Sequence, residues 1–135
     1  MGDTGEIVER WAAAWSSGDM QQVIDLFVDD CTYEDVTLGV VNHGREELRA
    51  FGEGFFTAAP GLEIELSSWT RSGDHAAAEW WFKGTQKGEV LGMAATGRDF
   101  AFRGMSAFDL RGEQLVRCSD YWDLETFKRQ LGFVD

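Results

Sequence analysis

The first third of the chain carries apolar residues at helical spacing. Five of them recur three and four positions apart and so share one helix face: Ile7, Val8, Trp11, Ala12 and Trp15. A Ser-Ser-Gly run ends this helix, and Asp19 is positioned to cap a second, shorter helix. A third helix is predicted from Arg45 to Ala58, just before a Pro-Gly pair.

A short strand is predicted between the second and third helices, from Cys31 to Asp35, followed by a loop from Gly39 to Gly44. Within that strand, Tyr33 and Asp35 alternate onto one face. They are candidates to reach a concavity of the sheet, and a capped strand end explains them equally well.

From Leu62 onward the period changes from 3.6 to two, as is typical of strands. Alternation and turn residues predict four long strands, at residues 62–66, 76–83, 100–110 and 114–122. The Gly-rich stretch from Gly84 to Gly97 is predicted to be irregular, and Asp123 to cap a short final helix. Helices followed by hairpin-linked strands predict one α+β domain over residues 1–135, with a curved antiparallel sheet wrapped over helices.

One residue in the last strand breaks the apolar pattern. Alternation places Asp120 on the same face as Val116, Cys118 and Trp122. A carboxylate in such a low-dielectric concavity either finds a hydrogen-bond donor or has its pKa raised toward the range useful for proton transfer. An Asp bonded to a backbone amide or a Tyr in a purely structural role fits the periodicity equally well.

Charge argues against several classes of partner. The 135 residues include 12 Lys and Arg against 24 Asp and Glu, a net charge of −12, which disfavours binding to nucleic acid or to an anionic membrane surface. No apolar run approaches the roughly 20 residues of a membrane span, and the first ten residues are acidic, unlike a signal peptide. We therefore expect a cytoplasmic protein.

Known cofactor and nucleophile motifs do not occur in the sequence. Cys31 and Cys118 have neither CxxC spacing nor neighbouring His residues, so no zinc site or redox pair is indicated, and we expect two buried thiols. There is no Walker loop, nucleophile elbow, HExxH pair or dinucleotide fingerprint. These absences argue against cofactor-dependent and phosphate-handling enzymes.

Aromatic residues form 13% of the chain and include six Trp. They can line a cavity for a small hydrophobic molecule, or simply fill the core. On the first interpretation, eight rings enclose a cavity of several hundred Å3 reached near the Gly84 to Gly97 stretch: Trp11, Trp15, Phe51, Phe55, Trp80, Phe82, Phe102 and Phe108. Ser106, Cys118 and Trp122 are expected to join the pocket.

The last two strands also predict an assembly surface. Their outward positions mix apolar and charged residues, namely Arg103, Met105, Leu115 and Tyr121. We expect a homodimer that forms through the sheet.

Four stretches, in order, resemble one known family. They are Tyr33-Glu34-Asp35, the GREEL segment at Gly44–Leu48, the Gly-rich stretch Gly84–Arg98, and Asp120-Tyr121-Trp122-Asp123 with Gln130–Gly132. Together they resemble the SnoaL-like polyketide (ester) cyclases of the nuclear-transport-factor-two-like superfamily, which also contains ketosteroid isomerase, scytalone dehydratase and limonene epoxide hydrolase. The resemblance spans nearly the whole chain and implies a cone-shaped α+β barrel with a deep pocket.

The resemblance also implies a chemistry. In these cyclases an Asp on the last strand acts as general acid/base for an intramolecular aldol closure without cofactor or metal, and that Asp matches Asp120. With Tyr33 and Asp35 as catalytic partners, the expected activity is cyclase-like or ketosteroid isomerase-like proton transfer on a small hydrophobic carbonyl compound. The family's assisting His is replaced by Ser106. The alternatives are a non-catalytic binder of hydrophobic ligands and a hydrolase resembling limonene epoxide hydrolase, although Trp80 and Phe82 stand where that enzyme has its Arg and second Asp.

Overall fold

The computed structural model describes residues 6–133. Four helices and six strands follow the order α, α, β, β, α, β, β, β, β, α. They are α1 (Ile7–Ser16), α2 (Met20–Ile24), β1 (Phe27–Asp35), β2 (Val40–His43), α3 (Gly44–Ala58), β3 (Glu63–Ser72), β4 (His75–Thr85), β5 (Asp99–Arg111), β6 (Gln114–Trp122) and α4 (Leu124–Gln130). No helix in this part of the chain is both long and apolar enough to cross a membrane.

The six strands form one curved, unclosed sheet in the order β2-β1-β6-β5-β4-β3. Neighbouring strands are antiparallel, with one exception: β1 and β6 run parallel. This parallel pair joins the first strand of the chain to the last, and the functional site described below depends on it. The predicted α+β class, with a curved sheet over helices, is confirmed.

The helices pack on the concave side of the sheet. Helix α1 contacts β3, and α3 contacts β1 and β2. All five residues of the predicted α1 stripe are buried, as their spacing requires. Both predicted Asp caps are confirmed, because Asp19 accepts a hydrogen bond from Gln21 N at 3.0 Å and Asp123 accepts one from Thr126 N at 3.0 Å.

Two boundaries near the first strand were predicted wrongly. Strand β1 begins at Phe27, four residues before the predicted start, because the ladder continues past the exposed pair Asp29 and Asp30 through an irregularity in its register. The predicted Gly39 to Gly44 loop contains the edge strand β2, which pairs with the end of β1. A four-residue strand with three exposed positions has too little alternation to be read from sequence.

Leu115 was predicted to face outward and instead is fully buried. The ladder between β5 and β6 shifts register between Asp109 and Leu110, so strict alternation does not hold at the start of β6. Two residues, rather than one, separate the buried Leu115 from the buried Cys118. Leu115 is therefore part of the core and not of an assembly surface.

Candidate active site

The strand register places the polar candidates side by side. Asp120 lies on β6 between two neighbours, Ser106 on β5 and Asp35 on β1, each directly opposite it in its ladder. Tyr33 lies two residues before Asp35, opposite Cys118, and its ring leans toward the same carboxylate. The predicted group of Asp120, Tyr33 and Asp35 is thus brought together.

Asp120 accepts hydrogen bonds at both carboxylate oxygens. Tyr33 Oη donates to Oδ2 at 2.7 Å, and Ser106 Oγ donates to Oδ1 at 2.6 Å. Cys118 Sγ makes a weaker contact with Oδ1 at 3.4 Å. These donors come from three strands, so the orientation of the carboxylate is fixed by the sheet and not by a flexible loop.

Ser106 is itself held in place by Trp80. The indole Nε1 of Trp80 donates to Ser106 Oγ at 2.9 Å, which leaves the serine hydroxyl proton for Asp120. Trp80 pairs with Gly104 across the β4–β5 ladder, and a Cβ at Gly104 would collide with the indole ring. The missing side chain at Gly104 therefore makes room for the ring that orients Ser106.

Burial raises the pKa of Asp120 from 3.8 to about 6. The hydrogen bonds from Ser106 and Tyr33 oppose this rise, and the nearby charge of Asp35 adds to it. The same burial, together with the adjacent Asp120 charge, raises the pKa of the Tyr33 phenol and of the Cys118 thiol well above their ordinary values. Asp120 thus titrates near neutral pH, whereas the Tyr33 phenol and the Cys118 thiol stay protonated there.

Asp35 combines both roles that the sequence left open. Its carboxylate accepts Trp122 Nε1 at 3.0 Å and the backbone N–H of Leu38 at 2.9 Å, so it caps the end of β1. It also lines a chamber shared with Asp120. Burial raises its pKa against the opposing effect of the bonds from Leu38 and Trp122.

Two adjoining chambers open on the concave side of the sheet. The inner chamber has a volume of about 30 Å3 and reaches Asp120. Nine of its twelve lining residues are aromatic, and the full lining is Trp11, Trp15, Tyr33, Asp35, Phe51, Phe55, Ile64, Trp80, Phe82, Phe102, Asp120 and Trp122. Asp120 keeps part of its surface accessible, as a group facing a chamber does.

The outer chamber is larger, about 240 Å3, and predominantly apolar. It shares five aromatic residues with the inner chamber, and we call this set the aromatic collar: Phe51, Phe55, Phe82, Phe102 and Trp122. Within the collar, the ring of Phe102 stacks on Phe82 at 5.2 Å and on Trp122 at 4.9 Å between centroids. The predicted approach near the Gly-rich stretch agrees with the structure, because Glu89, Val90 and Leu91 line the outer chamber.

A buried glutamine that the sequence did not single out holds this Gly-rich stretch. The side chain of Gln86 donates to Gly88 O at 3.1 Å and Ala94 O at 3.2 Å, and accepts from Thr96 N at 3.0 Å. Gln86 is only 1% exposed and lines the outer chamber. A polar residue in an irregular segment gives no periodic signal, so only the structure identifies it.

Three residues predicted to line the pocket line neither chamber. Phe108 packs edge-on against Trp11 at 5.1 Å, deeper in the core. Ser106 and Cys118 lie behind Asp120 and contact its carboxylate. Alternation correctly places all three on the concave face of the sheet. The cavity covers only part of that face, and the rest of the face is packed against other core side chains. The prediction of one large cavity is corrected too, because Trp11, Trp15 and Trp80 line only the inner chamber.

Two polar atoms near the inner chamber have no partner in the described part of the chain. They are the buried indole N–H groups of Trp11 and Trp15. Among residues 6–133, no group of three or more His, Cys, Asp or Glu side chains is arranged to hold a metal ion. The chemistry that the arrangement itself can perform is proton transfer by a carboxylate at the end of an apolar cavity.

Comparison with solved structures defines the fold class as ketosteroid isomerase-like. A protein of that fold from Catenulispora acidiphila, solved in complex with trimethylamine, is 28% identical with a TM-score of 0.86, over 96% of this chain and 95% of that one. TsrD from Streptomyces laurentii is 26% identical with a TM-score of 0.83, over 95% and 93%. AclR from Streptomyces galilaeus is 20% identical with a TM-score of 0.83, over 100% and 88%, a likeness of fold alone.

The sequence itself defines the family. Residues 5–131 match the SnoaL-like polyketide cyclases, and the chain belongs to that family. No curated protein matches it. The family indicated by the four sequence stretches is confirmed.

Proposed function

We propose that this protein is an enzyme that transfers a proton at a carbon next to a carbonyl group of a small hydrophobic compound, with Asp120 as the general base. The observation that carries the proposal is a carboxylate with a pKa of about 6 at the inner end of an apolar cavity. Such a group is charged at pH 7, so it accepts a proton, and it returns the proton readily because its pKa is close to the ambient pH.

In the proposed reaction an Asp120 oxygen takes the proton from the carbon, and the C–H electron pair moves toward the carbonyl oxygen to form an enolate. Where a conjugated double bond extends the enolate, isomerisation follows when Asp120 returns the proton to the far carbon of that conjugated system. Ring closure follows when the enolate carbon attacks a second carbonyl carbon, and Asp120 then gives its proton to the alkoxide that forms. Tyr33 and Ser106 are positioning residues that hold the carboxylate through their hydrogen bonds. The outer chamber holds the apolar body of the substrate.

Ser106 bears on which of these reactions the chain favours. It stands where the cyclases have an assisting His, and a serine hydroxyl supplies no second group that titrates near neutral pH. Its hydroxyl is already engaged with Trp80 and Asp120. Proton transfer by a single carboxylate therefore has more support than a His-assisted aldol closure.

The test is exchange of hydrogen for deuterium at the α-carbons of 2-tetralone, a bicyclic ketone, followed by proton NMR in D2O. We expect exchange above the buffer background, and a roughly 100-fold loss in Asp120→Asn, which keeps the shape of the side chain but removes its titration. Asp123→Asn is the matched control, since it makes the same change at the α4 cap and Asn also caps helices. Equal exchange by Asp120→Asn and the control contradicts the proposal.

Non-catalytic binding of a hydrophobic ligand is the second candidate, and the apolar walls of the outer chamber favour it. Binding of 2-tetralone without enhanced exchange would select it. Hydrolysis of the epoxide hydrolase type has less support, because Trp80 and Phe82 occupy the positions at which that enzyme has charged groups. Here Trp80 is hydrogen-bonded to Ser106, and Phe82 is stacked in the aromatic collar.

A further inference from the structure

The charged side chains that line the two chambers are all acidic. The charged residues that line them are Asp35 and Asp120 in the inner chamber and Glu89 in the outer one. Among residues 6–133, no Lys, Arg or His lines either chamber. A buried carboxylate, that of Asp35, and a half-buried one, that of Asp120, thus face the same small volume with hydrogen-bond donors but without a balancing cation. This arrangement costs free energy when both are ionised.

The walls of the inner chamber also suit a positively charged group. Nine aromatic residues surround the two carboxylates, and the faces of Trp, Tyr and Phe rings attract cations. The indole N–H groups of Trp80 and Trp122 are already engaged, with the Ser106 hydroxyl and the Asp35 carboxylate respectively. The net charge of −12 on the whole chain adds long-range attraction for cations.

Size limits the kind of cation. A volume of about 30 Å3 holds about two water-sized groups, which suits an ammonium or a methylated ammonium group better than a bulky one. An N–H donor also suits carboxylate oxygens, which accept several hydrogen bonds each. The outer chamber lies on the other side of the aromatic collar and has a volume of about 240 Å3, which accommodates the apolar body of a ligand.

We propose that the inner chamber binds the protonated amino group of a ligand whose apolar body occupies the outer chamber. The carboxylates of Asp35 and Asp120 hold the ammonium group, and the surrounding ring faces stabilise its charge. This is a proposal about binding, and it holds whether or not the ligand is turned over. Its failure is therefore distinguishable from failure of the proton-transfer proposal, which is tested by exchange.

Isothermal titration calorimetry at pH 7.5, with two probe ligands of similar size, tests the proposal. One is 2-phenylethylammonium, and the other is 2-phenylethanol, which keeps the ring and a hydrogen-bond donor but carries no charge. We expect the cation to bind about 10-fold more tightly or better, as charge-assisted hydrogen bonds predict. Asp35→Asn and Asp120→Asn should each reduce that preference several-fold, while Asp74→Asn, an equal change in net charge at an exposed turn, should leave it intact.

A pH titration of the unaltered protein gives a second test that requires no variant to fold. Asp120 faces Tyr33 and Asp35 on β1, Ser106 on β5 and Cys118 on its own strand. Because its pKa is about 6, the cation should bind several-fold more weakly at pH 5 than at pH 7, with the alcohol nearly unaffected. Equal affinities for the two probes, no binding of either, or a preference that survives both carboxylate variants would overturn the proposal.

Discussion

Replacing Asp120 by Asn should change how the stability of the protein depends on pH. A pKa raised from 3.8 to about 6 means that charging this carboxyl costs the folded state about 3 kcal/mol more than it costs the unfolded chain, at 1.36 kcal/mol per pKa unit. Asn carries no charge at any pH, so the variant avoids this cost. Its altered hydrogen bonds with Tyr33 and Ser106 add a contribution that does not depend on the charge of residue 120.

The sign of the effect follows from proton binding. Below about pH 4 the carboxyl is neutral in both states and costs nothing. Between about pH 4 and 6 the unfolded chain releases the proton first, so the wild type loses stability relative to the variant as pH rises. Above about pH 6.5 the difference is nearly constant. Roughly half of the 3 kcal/mol lies between pH 5 and 8, a range clear of the isoelectric point of about 4.4.

The assay is urea unfolding at several pH values, followed by tryptophan fluorescence. The free-energy difference between Asp120→Asn and wild type should move in favour of the variant as pH rises from 5 and level off above about 6.5. Asp109 and Asp123, whose pKa values are lowered by hydrogen bonds from Arg117 and Thr126, give the opposite slope only below about pH 4, and they do so in both proteins and cancel in the difference. A difference that is independent of pH would refute a raised Asp120 pKa.

Two further predictions concern the same strands. Ser106→Ala removes a hydrogen-bond donor that lowers the pKa of Asp120, so that pKa should rise above about 6. Carbon-13 NMR of the Asp120 carboxyl measures this titration, and an unchanged titration would show that Ser106 does not affect the pKa of Asp120. We also propose a homodimer through the outer sheet face, where Met105 and Tyr121 are 40% and 46% exposed. In analytical ultracentrifugation the wild type should sediment as a dimer and the double variant Met105→Glu, Tyr121→Glu as a monomer, and a monomeric wild type at micromolar concentration would contradict the proposal.

Several features of this protein follow from the sequence alone. The spacing of the α1 stripe, the caps at Asp19 and Asp123 and the alternation around Asp120 depend only on local geometry, because a helix repeats every 3.6 residues and a strand every two. The family is also contained in the sequence, since its motifs occur in order along nearly the whole chain.

Other features were decided by contacts between distant segments. Tyr33 and Asp35 reach Asp120 because β1 and β6, more than 80 residues apart, pair in parallel, and no local pattern encodes that register. The shift near Leu110 that turns Leu115 inward, the filled core at Phe108, and Gln86 under the Gly-rich stretch arise in the same way. Alternation tells which face of a strand is buried, but whether that face meets a cavity or a packed side chain depends on what the opposite layer places there.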